Sequence, residues 1–141
     1  SIKKPVIVEP LLQEIKRPSA IEGKERDLPE IIAIRNQILE NWNDRAWHYA
    51  DEENFYDFKE RAIQVVRFAE SLPDENVLFV THGELMMMLL FVMSIEDSLE
   101  PVQFKQFRKF IQIDNTGITL CRFEKNTWKL ISWNDAAHLG V

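Results

Sequence analysis

The chain has 141 residues, of which 45% are hydrophobic and 28% charged, and this is enough material for one compact core but not for two. Its formal net charge of −6 disfavours a broad contact surface for nucleic-acid backbones, although a small anionic substrate needs only a local basic pocket. Cys121 is the only cysteine, which excludes an internal disulfide and multi-thiolate zinc sites and fits a reducing compartment, so we expect a cytoplasmic protein. The longest apolar stretch, at residues 85–93, is too short to span a membrane.

The amino-terminal third predicts a strand, a loop and a helix. Residues 6–8 (Val-Ile-Val) are β-branched and predict a short strand, which leads into a polar loop at residues 10–23. Asp27 is placed to cap a helix, and Glu30 follows three residues later, ahead of isoleucines at helical spacing. We therefore expect a helix that ends near Asn41.

A loop and a second helix follow. Residues 42–54 mix aromatic and acidic side chains without helical or strand periodicity, which predicts an ordered loop. Asn54 is placed to cap the next helix, and Pro73 ends it. The apolar positions of this helix fall on one face: Phe55, Phe58, Ala62, Val65, Val66 and Ala69.

The centre of the chain predicts a buried strand that gives way to a buried helix. Residues 76–81 (Asn-Val-Leu-Phe-Val-Thr) have the length and the apolar run that are typical of a strand buried on both faces in the middle of a sheet. Gly83 ends this strand, and residues 84–93 predict a helix that is apolar almost all round. The last third predicts a short helix within residues 96–109 and a hairpin that turns at residues 125–126.

This order of elements predicts a three-layer α/β/α sandwich, in which a mostly parallel central sheet has an antiparallel hairpin toward one edge. In open α/β sheets, ligands bind at the carboxyl ends of the strands, and His82 stands at such an end. Gly83 lets a ligand approach the backbone closely, and the free N–H groups at the start of the next helix favour a phosphate. Thr-His-Gly alone equally fits a histidine that caps the helix or satisfies a backbone carbonyl.

Three motifs together resemble the histidine phosphatase (phosphoglycerate-mutase-like) superfamily, in the same order and at similar spacing. They are Val-Leu-Phe-Val-Thr-His-Gly at residues 77–83, Asn-Thr-Gly-Ile-Thr at residues 115–119, and Asn-Asp-Ala-Ala-His-Leu at residues 134–139. Upstream, residues 12–15 resemble the family's Leu-x-Glu segment, and Glu53 with Arg61 resembles the acidic residue and the arginine that flank the helix before the second histidine. The resemblance covers nearly the whole chain and implies the phosphoglycerate-mutase-like fold.

The resemblance implies phosphoryl transfer through a covalent phosphohistidine, in which one histidine is the nucleophile and a second histidine and arginines hold the phosphoryl oxygens. His82 matches the second histidine, and Glu14 matches the general acid that protonates the leaving alkoxide and then activates water. Lys16 and Arg17 are candidates for binding a substrate phosphate or carboxylate, or are simply surface charge. The predicted catalytic residues are His82 and Glu14, and the predicted substrate-binding residues are Gly83, Lys16, Arg17 and Asn115.

The sequence departs from the family at the nucleophile. The family's nucleophilic histidine lies in an Arg-His-Gly tripeptide at the end of the first strand, and this sequence contains no such tripeptide. His48 and His138 neither follow an apolar strand nor open a helix, so neither matches; His138 fits a structural hydrogen-bonding role and His48 a loop. We therefore expect one domain, the carboxy-terminal two-thirds of a histidine phosphatase that is incomplete at its amino terminus, either a fragment or a truncated relative without catalytic power.

Three functions remain open. The first is hydrolysis of a small phosphomonoester with the nucleophile on an upstream segment, the second is phosphoglycerate-mutase-type phosphotransfer, and the third is a non-catalytic binding or scaffold module of the same fold. We predict no metal and no cofactor, because the sequence has neither a metal-ligand cluster nor a glycine-rich nucleotide loop. The predicted partner is a small phosphorylated substrate, with no nucleic acid and no membrane; self-association, or association with the absent amino-terminal segment, is left open.

Overall fold

Four helices and one hairpin are the regular structure of residues 6–95 and 98–140, the residues that this computed structural model describes. The helices are α1 (Pro29–Asn41), α2 (Phe55–Ser71), α3 (Gly83–Ile95) and α4 (Pro101–Phe110), and the strands are β1 (Ile118–Glu124) and β2 (Thr127–Asp135). Short 3-10 turns lie at Pro10–Leu12, Ser19–Ile21 and Ala137–Leu139. The predicted α/β class is confirmed. None of the helices in the described ranges combines the length and the apolar composition that a membrane span requires.

Helix α2 begins and ends as its sequence predicts. The side chain of Asn54 accepts hydrogen bonds from the backbone N–H groups of Tyr56 and Asp57 at 2.8 and 3.1 Å, and Asp57 Oδ2 accepts one from the Asn54 N–H at 3.1 Å. This reciprocal capping box satisfies N–H groups that the first helical turn leaves free. The helix ends at Ser71, two residues before Pro73. Five of its six predicted core residues are buried: Phe55, Phe58, Ala62, Val65 and Val66.

Helix α3 packs against α2 and is buried on most of its sides, as its apolar composition predicts. The aromatic ring of Phe104 from α4 meets the rings of Trp42, Phe55 and Phe91 at centroid distances of 6.0, 6.1 and 5.7 Å. Ring contacts at these distances stabilise a core beyond the effect of buried area alone. They join α2, α3, α4 and the end of α1 in one hydrophobic cluster.

Helix α1 does not begin at the predicted cap. Its first residue is Pro29, and the N-cap position belongs to Leu28, which makes no side-chain capping bond, so Asp27 does not cap the helix. Proline suits the first helical position because its φ angle is already helical and its missing N–H would have no partner there. A short helix was also predicted within residues 96–109. Residues 96–97 lie outside the described residues, and α4 begins at Pro101.

The hairpin turns where the sequence predicts. Lys125 and Asn126 have φ angles of 52° and 60°, and two consecutive positive φ angles are the mark of the tight turn that suits twisted antiparallel strands. The pairing runs from Glu124 opposite Thr127 at the turn to Ile118 opposite Asp135 at the far end.

The predicted central strand differs from the structure. Residues 76–82 belong to no helix or strand, and Leu78 and Val80 are 84% and 83% exposed. Residues 6–8 are also outside any strand, and each of them is at least 79% exposed. The hairpin is the sheet that the described residues form, and the predicted parallel sheet is not seen among them. The physical reason is that a strand needs a backbone partner, and no described segment pairs with residues 76–81.

Candidate functional site

His82 and Gly83 stand at the start of α3, where the sequence predicts a phosphate site. The ring of His82 is exposed and makes no hydrogen bond to another described residue, while its carbonyl accepts the N–H of Met86 at 2.9 Å. The imidazole therefore neither caps α3 nor satisfies a carbonyl in the part of the chain that is described. A Cβ added to Gly83 would lie 3.8 Å from Ile113, an ordinary contact, so crowding does not require glycine there.

The loop that carries Glu14 lies beside this end of α3. Thr81 Oγ1 donates a hydrogen bond to the Leu12 carbonyl at 2.7 Å, although the two residues are 69 positions apart in the chain. The residue before His82 is therefore in direct contact with the loop two residues before Glu14. That the side chains of Glu14 and His82 act together in one catalytic site stays a prediction.

Arg61 of α2 holds the backbone of the Glu14 loop. Its Nη1 donates to the carbonyls of Leu11 and Gln13, both at 2.8 Å, and its Nη2 donates to the Glu14 carbonyl at 3.3 Å. The other edge of the guanidinium donates from Nε and Nη2 to the two carboxylate oxygens of Glu53 at 2.6 and 2.7 Å. Arg61 is only 8% exposed, so these bonds form away from water. The resemblance had paired Glu53 with Arg61 without indicating that they support this loop.

Lys16 lies at the outer side of the same loop. Its backbone N–H donates to Glu53 at 2.9 Å, and its ammonium group lies 3.3 Å from Asp51, with both side chains about half exposed. The backbone N–H of Ser19 and the Lys16 ammonium lower the pKa of Asp51. The Lys16 ammonium thus forms an ion pair at the surface, and its role in substrate binding stays a prediction. Arg17 is exposed and has no hydrogen bond to another described residue.

Glu84, in the first turn of α3, forms an ion pair with Arg108 near the end of α4. Burial raises the pKa of the Glu84 carboxyl, the Arg108 charge opposes this shift, and Glu14 and Arg17 make smaller electrostatic contributions of opposite sign. Three charged side chains, those of Arg108, Glu14 and Arg17, therefore act on Glu84 at the start of α3. Glu84 and Arg108 were not among the predicted site residues. The available signal was a single acid in an otherwise apolar helix.

Asn115, the remaining predicted site residue, is exposed at the start of a tight turn. The side chain of Asn134 fixes this turn, because its Oδ1 accepts the Asp114 N–H at 2.9 Å and its Nδ2 donates to Asp114 Oδ2 at 2.8 Å. Gly117 makes room for that side chain, since a Cβ at Gly117 would lie 2.1 Å from Asn134 Oδ1. The hydrogen bonds from Gln112 and Asn134 lower the pKa of Asp114. The two tail motifs are thus one structural unit.

The other two histidines lie outside this group of contacts. His48 Nε2 is 2.7 Å from Asp57 Oδ2 at the start of α2, in an exposed position. His138 lies in the 3-10 turn Ala137–Leu139, and its side chain has no hydrogen bond within the described ranges, so the predicted structural role is not seen there.

We expect the imidazole of His48 to titrate above its ordinary range. The hydrogen bond with Asp57 is the main cause of the raised pKa, the charges of Asp57 and Glu52 add to it, and burial opposes it. Because the folded-state pKa is raised, the pair stabilises the fold fully below the unfolded pKa of about 6.5 and loses this effect as the pH rises through the folded pKa. The exposed pair contributes only a few tenths of a kcal/mol.

An NMR titration of the His48 ring checks this expectation. Asp57→Asn should lower the His48 pKa, whereas Glu60→Gln, which removes another exposed carboxylate of the same helix turn, should leave it close to the parent value. A His48 pKa that is the same in the parent protein and in Asp57→Asn would contradict the assignment.

A family model described as the histidine phosphatase superfamily (branch 1) matches residues 1–136. The match covers almost the whole chain, and the chain belongs to this superfamily. Membership supports phosphatase- or phosphotransferase-type chemistry, and the four helices and hairpin are consistent with a truncated histidine phosphatase fold. No curated protein and no solved structure matched the chain. Within residues 6–95 and 98–140, no group of three or more His, Cys, Asp or Glu side chains is arranged to hold a metal ion.

Proposed function

We propose that this chain is the carboxy-terminal part of a phosphatase that hydrolyses small phosphomonoesters through a phosphohistidine intermediate. The main support is the hydrogen bond from Thr81 to the Leu12 carbonyl, which joins the loop of Glu14 to the residue before His82. Membership of the superfamily supports the reaction class. The exposed His82 ring, beside the free N–H groups of the first turn of α3, supports phosphate binding at this position.

The reaction has two steps that share one carboxyl group. In the first, a histidine nitrogen forms a bond to phosphorus as the ester P–O bond breaks, and Glu14 gives its proton to the leaving alkoxide. In the second, Glu14 takes a proton from water while the water oxygen binds phosphorus and the N–P bond breaks. His82 and the N–H groups of α3 hold the phosphoryl oxygens, on which negative charge is concentrated, in both steps.

The nucleophilic histidine, in this proposal, lies on an upstream segment that pairs with the exposed apolar runs. Residues 6–8 and 77–80 are rich in valine, expose much of their side-chain surface and have no ladder partner among the described residues. A strand that pairs with them would cover this surface and satisfy backbone groups that are otherwise left to water. The family's nucleophile stands at the end of such a strand, so pairing would bring it to the His82 end of the site.

We expect that the 141-residue chain alone does not hydrolyse p-nitrophenyl phosphate above background, because none of its residues matches the nucleophile. Restoring the preceding part of the gene, by fusion or coexpression, should produce turnover. It should also produce an acid-labile phosphohistidine, which a substrate with a labelled phosphoryl group would reveal. His82→Ala should abolish turnover in the restored protein. The control His48→Ala should retain it, since His48 pairs with Asp57 at the surface.

Two outcomes would overturn the proposal. Steady turnover by the isolated chain that His82→Ala abolishes would require a nucleophile within the chain itself. A preceding gene segment without a strand that ends in Arg-His-Gly would favour the non-catalytic module. Release of inorganic phosphate distinguishes hydrolysis from the alternative phosphotransferase, which would pass the phosphoryl group to a second hydroxyl group.

A further inference from the structure

The ion pair of Glu53 and Arg61 holds the backbone on both sides of Glu14. On one side, Arg61 donates to the carbonyls of Gln13 and Glu14 at 2.8 and 3.3 Å. On the other side, the Lys16 N–H donates to Glu53 Oε2 at 2.9 Å, and the Glu53 N–H donates to the Lys16 carbonyl at 3.1 Å. The same two residues therefore fix the chain before and after Glu14.

The carboxylate of Glu14 is oriented within its own loop. Its Oε1 accepts the N–H of Ile15 at 2.9 Å. Arg61 binds the backbone carbonyl of Glu14, whereas its bonds to a carboxylate go to Glu53, at 2.6 and 2.7 Å. The positive charge of Arg61 is thus matched within the pair. The pair fixes where the Glu14 side chain begins and leaves its carboxyl group available for proton transfer.

The pair connects the loop to a rigid part of the molecule. Both side chains are largely buried, so their bonds form mostly out of contact with water. Arg61 belongs to α2, and its helix neighbours Phe58, Ala62 and Val65 are completely buried in the core. A guanidinium donates from a planar group of fixed geometry, so it restrains the direction of its acceptors as well as their distance. The position of the loop is therefore set by α2.

We propose that Glu53 and Arg61 are positioning residues for the general acid, which act on the departure of the alcohol rather than on phosphate binding. The inference rests on the proposed function, in which Glu14 protonates the leaving alkoxide as the ester P–O bond breaks. A proton transfer requires hydrogen-bond reach, and a displacement of about 1 Å can slow a reaction about 100-fold. Loss of the pair therefore slows substrates whose leaving group needs a proton and spares those whose leaving group departs as a stable anion.

Two aryl phosphates that differ in the leaving group test this inference in the chain restored with the preceding part of its gene. Phenolate is a strong base and leaves readily only as phenol, whereas dinitrophenolate is a stable anion and leaves without a proton. The measured quantity is kcat/KM, because it reports the first step and does not depend on hydrolysis of the phosphohistidine. Glu14→Gln should lower kcat/KM about 100-fold for phenyl phosphate and less than about three-fold for dinitrophenyl phosphate.

Variants of the pair should show the same selectivity with a smaller effect. Glu53→Gln and Arg61→Lys each keep part of the contacts. Each should lower kcat/KM about ten-fold for phenyl phosphate and less than about three-fold for dinitrophenyl phosphate. In the Glu14→Gln background, Arg61→Lys should no longer change the ratio of the two kcat/KM values, because the carboxyl group that it positions is gone.

Val66→Ala is the matched control for lost stability. Val66 lies on the same helix as Arg61 and is buried. It lines a cavity together with Val92 of α3 and Trp128 of the hairpin. Its truncation loosens α2 but removes no hydrogen bond from the Glu14 loop, so the ratio of the two kcat/KM values should stay at the parent value. A selective loss equal to that of Arg61→Lys would show that the ratio follows stability alone, and would overturn the inference.

The assays separate failure of this inference from failure of the proposed function. If Glu14→Gln is selective, while Glu53→Gln and Arg61→Lys slow both substrates equally or slow neither, the positioning role is wrong and the general acid stands. If Glu14→Gln slows both substrates equally, Glu14 is not the general acid and both proposals fall. Absence of turnover in the restored protein would also overturn both.

Discussion

Replacing Arg61 with methionine should lower the free energy of unfolding by about 3–5 kcal/mol, the usual cost of removing one partner of a buried ion pair. Methionine retains much of the side-chain volume but none of the N–H donors. The Glu53 side chain is only 15% exposed and would lose both hydrogen bonds from the guanidinium. Three backbone carbonyls would also lose a donor, those of Leu11, Gln13 and Glu14.

Urea unfolding followed by tryptophan fluorescence measures this effect. Arg122→Met is the control, because Arg122 is exposed and its 3.5 Å contact with Glu124 should contribute less than about 0.5 kcal/mol. Arg61→Lys keeps the charge but cannot reach all of these acceptors at once, so it should recover only part of the loss. Backbone amides of residues 11–16 should exchange faster with deuterium in Arg61→Met. A loss below about 1 kcal/mol would show that water replaces the guanidinium at little cost.

The same contacts connect stability with the predicted chemistry. Glu14 lies on a loop between the short turns Pro10–Leu12 and Ser19–Ile21, and a loop of this kind is mobile unless other elements hold it. Arg61 binds that loop to α2, and Thr81, the residue before His82, donates a hydrogen bond to it. A general acid must stay within reach of the leaving oxygen, so these two contacts are what the proposed role of Glu14 requires.

Local signals in the sequence were sufficient for α2 and for the hairpin. Asn54 caps α2 through N–H groups two and three residues away, and the turn at residues 125–126 depends on two φ angles. They were not sufficient for residues 76–81, which were predicted as a strand but belong to no strand in the structure. Their apolar composition shows that these residues can be buried, but burial of a strand depends on a neighbouring strand, which no local pattern reveals.

The site was predictable only in part, for a similar reason. His82 was identified from its place between a predicted strand and a helix and then by resemblance, and Glu14 by resemblance alone. The contact that joins their segments spans 69 positions of the chain. Glu84 and Arg108 are 24 positions apart, and the position of each in its own helix explains its charge without any functional role. An acid in the first turn of a helix stabilises the helix dipole, and an arginine in the last turn does the same. Only the fold shows that the two side chains meet.

Replacing Gly117 with alanine should destabilise the protein by about 2–3 kcal/mol, the upper part of the range for overpacking. The new Cβ would lie 2.1 Å from Asn134 Oδ1 and 3.2 Å from the Asp114 carbonyl oxygen. Asn134 cannot move away freely, because both ends of its side-chain amide bind Asp114 and its backbone N–H donates to Thr119 Oγ1 at 3.2 Å. Relief of the clash therefore costs hydrogen bonds that hold the turn before β1 to the end of β2.

Gly83→Ala is the matched control for this prediction, measured by the same urea unfolding. Both substitutions remove the same backbone freedom from the unfolded chain, but the Cβ at Gly83 would meet Ile113 at an ordinary 3.8 Å. Gly83→Ala should therefore be neutral or slightly stabilising, since alanine is the better helix former. In the Asn134→Ala background, where the obstructing oxygen is gone, Gly117→Ala should cost less than about 1 kcal/mol further. An equal cost of Gly117→Ala in both backgrounds would mean that the turn itself, rather than contact with Asn134, requires glycine at this position.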